Sequence, residues 1–138
     1  MPKISGIAHV ELSVSDLDTS SRWYCDLLGA REVFRAPDAA EGIVACAILV
    51  PGFGTLMAFT QHNGHDGAPF TPRRSGLDHV SFAVADREQL DAWRTHLDSL
   101  QVKHSGLRDY GYADAITFSD PDGIALELFC PKVALPAS

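Results

Sequence analysis

Two histidines stand at the same place in two nearly identical phrases. His9 lies in GIAHVELSV, which begins at Gly6, and His79 lies in GLDHVSFAV, which begins at Gly76, 70 residues later. A third polar group, Glu127, interrupts the otherwise apolar run IALELF. A carboxylate in such a run is costly to bury without a partner. Imidazole and carboxylate groups can move protons, and together they suit iron, manganese, zinc or nickel as divalent ions when coordination positions stay open. A lone strand histidine is ordinarily a hydrogen-bonded polar residue. The recurrence of two in register is what sets this pair apart. Glu11, two residues after His9 and on the same face of an extended strand, is a further candidate, as a catalytic base or as a rim residue.

The elements that position these residues come in two copies. At the same 70-residue offset Val10 meets Val80, Val14 meets Val84, Asp16 meets Asp86, Trp23 meets Trp93 and Leu27 meets Leu97; further on, Leu56 meets Leu126 and Phe59 meets Phe129. One offset held over a whole module indicates an internal repeat. Each opening phrase alternates as a half-buried strand does, with Val10, Leu12 and Val14 opposing His9, Glu11 and Ser13, and with Val80, Phe82 and Val84 opposing His79, Ser81 and Ala83. A helix follows each. The first runs from about Asp16 to Leu28 and stops at Gly29, with Trp23, Leu27 and Leu28 as its apolar stripe. The second has Asp86 as N-cap, Gln89 three residues on, and Leu90, Trp93, Leu97 and Leu100 at helical spacing.

Strand-like sequence then returns. IVACAILV and TLMAF are separated by Pro51, Gly52 and Gly54, and AITFS and IALELF by the turn DPDG. Each module therefore reads β-α-β-β-β, the earliest of its later strands being weakly marked near Glu32–Arg35 and near Val102–Gly106. The expected organisation is one α+β domain over residues 1–138, made of repeats 4–60 and 76–131 and a Gly/Pro-rich linker at 61–75. Strand parity puts Met57 on one face with Thr55 and Phe59, and Glu127 on one face with Ala125 and Phe129. Pseudo-symmetry then expects four facing slots, His9 and Met57 from one module and His79 and Glu127 from the other. Two such modules side by side would make a curved mixed sheet with a concave ligand surface.

Paired β-α-β-β-β modules, the strands GIAHVELSV and GLDHVSFAV and the ending DPDGIALELF resemble the vicinal oxygen chelate superfamily, the group of glyoxalase I, bleomycin and fosfomycin resistance proteins and extradiol dioxygenases. The resemblance covers the chain from about Ile4 to Pro131. It implies that His9, His79 and Glu127 are metal positions, and that Met57 stands where glyoxalase I carries a second glutamate and methylmalonyl-CoA epimerase a glutamine. Methionine is a poor ligand for hard ions and cannot act as a base, so a standard glyoxalase I reaction is disfavoured. Thr117 occupies the place of the extradiol dioxygenases' signature tyrosine. After Glu127 only Lys132 could contribute to the basic pocket that fosfomycin would need.

Two functions follow as expectations. One is a divalent-metal enzyme of glyoxalase or dioxygenase type that polarises a small oxygen-chelating substrate. The other is a non-catalytic, bleomycin-resistance-like dimer that sequesters a small molecule in the same concavity. Met57, Phe59, Ser81, Phe129 and Tyr112 are the expected pocket walls. The two modules can pair within one chain or exchange across a two-fold homodimer as in glyoxalase I; the expectation is the exchanged homodimer, in which His9 of one subunit meets His79 and Glu127 of the other.

Composition agrees with a small-molecule role. The 138 residues carry 11 basic and 18 acidic side chains, a net charge of −7, which argues against nucleic acid or an anionic membrane as partner. Three widely spaced cysteines, Cys25, Cys46 and Cys130, suggest reduced thiols and a cytoplasmic setting, and no apolar run is long enough to span a bilayer. His62 and His65 in HNGH read as loop residues, and His96 and His104 as structural ones.

Overall fold

A computed structural model describes residues 1–38 and 42–133. The chain divides into two compact units, Met1–Ala68 and Pro69–Ser138. The first contains β1 (His9–Ser13), α1 (Leu17–Leu28), β2 (Arg31–Asp38), β3 (Ile43–Leu49) and β4 (Leu56–His62); the second contains β5 (Val80–Ala83), α2 (Arg87–Ser99), β6 (Arg108–Asp109), β7 (Ala113–Ser119) and β8 (Ala125–Pro131). Both units have the order β-α-β-β-β. The strands hydrogen-bond as two four-stranded mixed sheets, β1-β4-β3-β2 and β5-β8-β7-β6. In each, the first strand runs parallel to the last and the remaining pairs are antiparallel.

The helices form where local chemistry starts and stops them. The Asp16 carboxylate accepts a hydrogen bond from the Thr19 N–H (2.7 Å), and Asp86 accepts one from the Gln89 N–H (2.8 Å), so each helix has one of its free amide donors satisfied. Gly29 ends α1 at φ 61°, in the left-handed region, and its N–H donates to the Cys25 carbonyl. The stripe α1 turns inward is Leu17, Ser20, Ser21, Tyr24 and Leu27. Tyr24, not Trp23, is the aromatic residue in the core. Its ring lies 4.7 Å from that of Phe59, while Trp23 is only half-buried and packs edge-on against Tyr24.

In the first unit the core gathers Leu12, Val14, Tyr24, Leu27, Ile48, Met57 and Phe59; in the second it gathers Phe82, Val84, Leu90, Leu97, Ile116, Leu126 and Leu128. Burying one such side chain contributes roughly 1.5–3 kcal/mol. One face of each sheet is thus committed to its helix, and the other face carries the polar side chains of β1 and β5.

Two expectations about the strands are corrected. The third element of the second module is β6 at Arg108–Asp109, and near Val102–Gly106 there is only an isolated bridge between His104 and Phe118. More importantly, the 70-residue offset does not last to the final strands. In the first unit β1–β4 pairing sets Val10 beside Met57 and Glu11 beside Ala58; in the second, β5–β8 pairing sets Val80 beside Leu126 and Ser81 beside Glu127. Met57 therefore corresponds to Leu126, and Ala58 to Glu127, an offset one residue smaller. The cause is the preceding turn. Residues 50–55 join β3 to β4, whereas residues 120–124, one fewer, join β7 to β8. The shorter turn is the DPDG turn, closed by the Asp120 carboxylate accepting from the N–H groups of Asp122 (3.0 Å) and Ile124 (2.7 Å).

Candidate functional site

A strand has a side-chain period of two, so one residue of shift exchanges its faces. Met57 and Phe59 are 2% and 0% exposed, in register with Val10 and Leu12 and packed toward α1. They are core residues, which corrects their expected place as pocket walls and removes Met57 from the facing slots. The slot equivalent to Glu127 holds Ala58, whose methyl group offers no donor at all.

In the second unit the open face brings together His79, Ser81 and Glu127. The His79 Nε2 is 3.8 Å from Glu127 Oε1, a separation too long for a hydrogen bond. The same carboxylate oxygen accepts a hydrogen bond from the Ser81 hydroxyl at 2.8 Å. On the other side of the imidazole, Nδ1 lies 2.6 Å from the Asp78 carboxylate. A carboxylate only accepts, so Nδ1 donates to Asp78, and Nε2 is the nitrogen directed at Glu127. A histidine whose far nitrogen is held by a carboxylate is the usual arrangement of a metal-ligating imidazole. Asp78 was not singled out from sequence. Its place immediately before a candidate ligand was the available signal.

The first unit assembles a parallel arrangement from different strand positions. His9 Nε2 is 3.6 Å from Glu11 Oε2, and Glu11 Oε1 accepts a hydrogen bond from the Thr60 hydroxyl on β4. The His9 and Glu11 side chains are 54% and 41% exposed, and His79 is 43% exposed, so these groups face outward and not into a core. Glu127, at 13%, is the most enclosed of the four. Among the described residues no group of three or more His, Cys, Asp or Glu side chains is placed to hold a metal ion. What each unit brings together by itself is one imidazole and one hydroxyl-tethered carboxylate.

The aromatic residues of the second unit stand beside this face. Phe129, two residues after Glu127 on β8 and half-buried, pairs with Ala83 and Ala115. The Tyr112 ring is 6.2 Å from Phe129, and Tyr110 stacks on Tyr112 at the same distance. Both tyrosines are exposed. Asp114 lies on the other face. It is 8% exposed, 3.0 Å from Lys132 Nζ and 3.5 Å from Arg87 on α2, so it belongs to an ion-pair network. Lys132 also donates to Asp109, which holds that carboxyl below the usual carboxylate range and raises the lysine.

The remaining candidates are structural. His104 Nδ1 accepts from the Gly106 N–H at 3.0 Å, and its Nε2 is 3.0 Å from Asp98. His62 ends β4, and with His65 it lines a cleft whose described lining residues include no acid. The cysteines are free thiols, and burial pushes the Cys25 and Cys46 thiols up, away from the reactive thiolate. No described helix is long and apolar enough to cross a membrane.

Comparison with known proteins adds the following. The family model described as the Glyoxalase/Bleomycin resistance protein/Dioxygenase superfamily matches residues 6–128. The uncharacterized protein YaeR of Escherichia coli (strain K12) is 33% identical, over 89% of this chain and 94% of YaeR. Catechol-2,3-dioxygenase of Bacillus subtilis is 26% identical over 91% of this chain, which spans only 41% of that enzyme's length. Among solved structures, a glyoxylase/bleomycin resistance protein/dioxygenase domain from Frankia sp. EAN1pec superposes with a TM-score of 0.85 at 31% identity, covering 94% of this chain and all of that domain.

Proposed function

The chain belongs to the glyoxalase/bleomycin resistance protein/dioxygenase superfamily, and from that premise we propose that it is a divalent-metal-dependent enzyme acting on a small organic substrate that chelates through two oxygens. His9, His79 and Glu127 would hold the metal, with His9 contributed by one module and the other two by its counterpart across a homodimer. The observation that carries this reading is the second unit's pair. A solvent-facing imidazole whose Nδ1 donates to Asp78 turns its Nε2 toward a carboxylate anchored by Ser81. That donor set fits Fe(II), Mn(II), Zn(II) or Ni(II).

A bound divalent ion supplies Lewis acidity toward the substrate oxygens, or a site for dioxygen if it is iron. The rest of the work falls to the chain. Asp78 keeps His79 in one tautomer and orientation. Ser81 holds one oxygen of Glu127 and leaves the other free. Phe129 and Tyr112, their rings 6.2 Å apart and tilted by 41°, provide an aromatic wall beside the carboxylate, suited to an organic body. The slot in which glyoxalase I carries its second glutamate is filled by Ala58, not by Met57.

Elemental analysis of protein purified without an affinity tag, repeated on His79→Ala and Glu127→Ala, tests this. Near-stoichiometric metal lost in both variants supports the enzyme. If the wild-type protein takes up none of Fe, Mn, Ni or Zn, the reading is abandoned. The ring row Tyr110–Tyr112–Phe129 then favours a module that sequesters an aromatic small molecule without chemistry.

A further inference from the structure

The two units present the same three groups on their open faces, but the strands that supply them are exchanged. In the second unit the hydroxyl comes from β5 (Ser81) and the acid from β8 (Glu127); in the first the acid comes from β1 (Glu11) and the hydroxyl from β4 (Thr60). Position 58, the true counterpart of Glu127, is alanine, and the residue paired directly with it is Glu11. Neighbouring strands lie about 4.8 Å apart, within the reach of a glutamate side chain, so Glu11 can extend over the space an acid at position 58 would fill. Its Oε1 is held by Thr60 and its Oε2 is turned to His9 Nε2 at 3.6 Å.

We propose that Glu11 is the first unit's metal-directed carboxylate, a ligand displaced from β4 to β1, so that the metal site has two histidines and two carboxylates instead of three donors. This rests on the metal reading above. Thr60 is a positioning residue that holds one oxygen of Glu11 and leaves the other for the ion. The second carboxylate narrows the substrate class. Two imidazoles and two carboxylates would balance the charge of a divalent ion. Such a site would favour a neutral or singly charged ligand over a phosphonate dianion.

The test is a competition titration of the full chain with Zn(II) against a chromophoric chelator, together with the visible spectrum of the Co(II)-loaded protein, which reports coordination and not turnover. Glu11→Gln should weaken Zn(II) binding by about tenfold or more and change the Co(II) spectrum, in the range seen when a ligand or its support is lost. The double variant Glu11→Gln/Ala58→Glu should recover both, because it returns the acid to β4. Thr60→Val should show a smaller loss of affinity. Unchanged affinity and an unchanged Co(II) spectrum in Glu11→Gln, with binding abolished in His79→Ala, would overturn the role of Glu11 and leave the three-donor site standing. Absence of Zn(II) and Co(II) binding by the wild-type protein would overturn both, and circular dichroism of each variant separates loss of a ligand from loss of fold.

Discussion

Ala58 and Glu127 occupy the same place in their sheets: each lies on the last strand of its unit, paired with the third residue of the phrase that begins at His9 or His79. The pair differ by 69 positions, not 70, and that single residue decides which side chains face outward. Met57, one step away, is on the helix side.

Met57 should therefore behave as a core residue. Met57→Ala should cost about 2–5 kcal/mol of stability, measured by denaturant unfolding, because it leaves a cavity against α1. Met57→Glu should be worse, since it buries a charge without a partner. Ala58→Glu should fold nearly normally. If the two glutamate variants were equally tolerated, the β1–β4 register would be wrong.

Asp78 holds His79 through a 2.6 Å contact to Nδ1. Asp78→Asn keeps the shape but permits the other tautomer. Metal affinity, measured by calorimetry, should fall by roughly 10–100-fold while thermal stability barely moves.

Glu32 on β2 accepts hydrogen bonds from Arg35 and Ser21, and the Arg35 guanidinium is the main reason its carboxyl titrates at about 2 instead of 4.5. The folded-state value is depressed, so this contribution to stability is fully present above the unfolded value and is lost as pH falls from about 4.5 toward 2. Glu32→Gln should be less stable at neutral pH and should show a shallower decline over that window. Parallel acid limbs in urea titrations of the two proteins would refute the assignment.

Asp86 caps α2 through the Gln89 N–H. Asp86→Ala should destabilise the protein by about 1 kcal/mol, and Asp86→Asn by less, read as shifts in the urea midpoint.

Much of this architecture is carried by local rules. The repeated opening phrases, the aspartate at each helix start, Gly29 and the DPDG turn each specify their element through neighbours a few residues away. Hence the β-α-β-β-β order, the two helices and the outward faces of β1 and β5 were legible from the chain alone. So were His79 and Glu127 as near neighbours, because strand parity places both on the face that α2 does not cover. The weakly marked β6 was not legible, because two residues carry no period and it exists only by pairing with β7.

The amino-acid order by itself determined the element order of the two modules and the residue types available for chemistry, because periodicity and capping act over short range. Tertiary pairing alone decided which of two adjacent residues on β4 faces outward. Register is set by hydrogen bonding between strands more than forty residues apart, and a turn lengthened by one residue resets it without any mark in the strand's own sequence. That pairing sent Met57 to the core, left Ala58 in the slot of Glu127, and brought Glu11, Thr60 and His9 together.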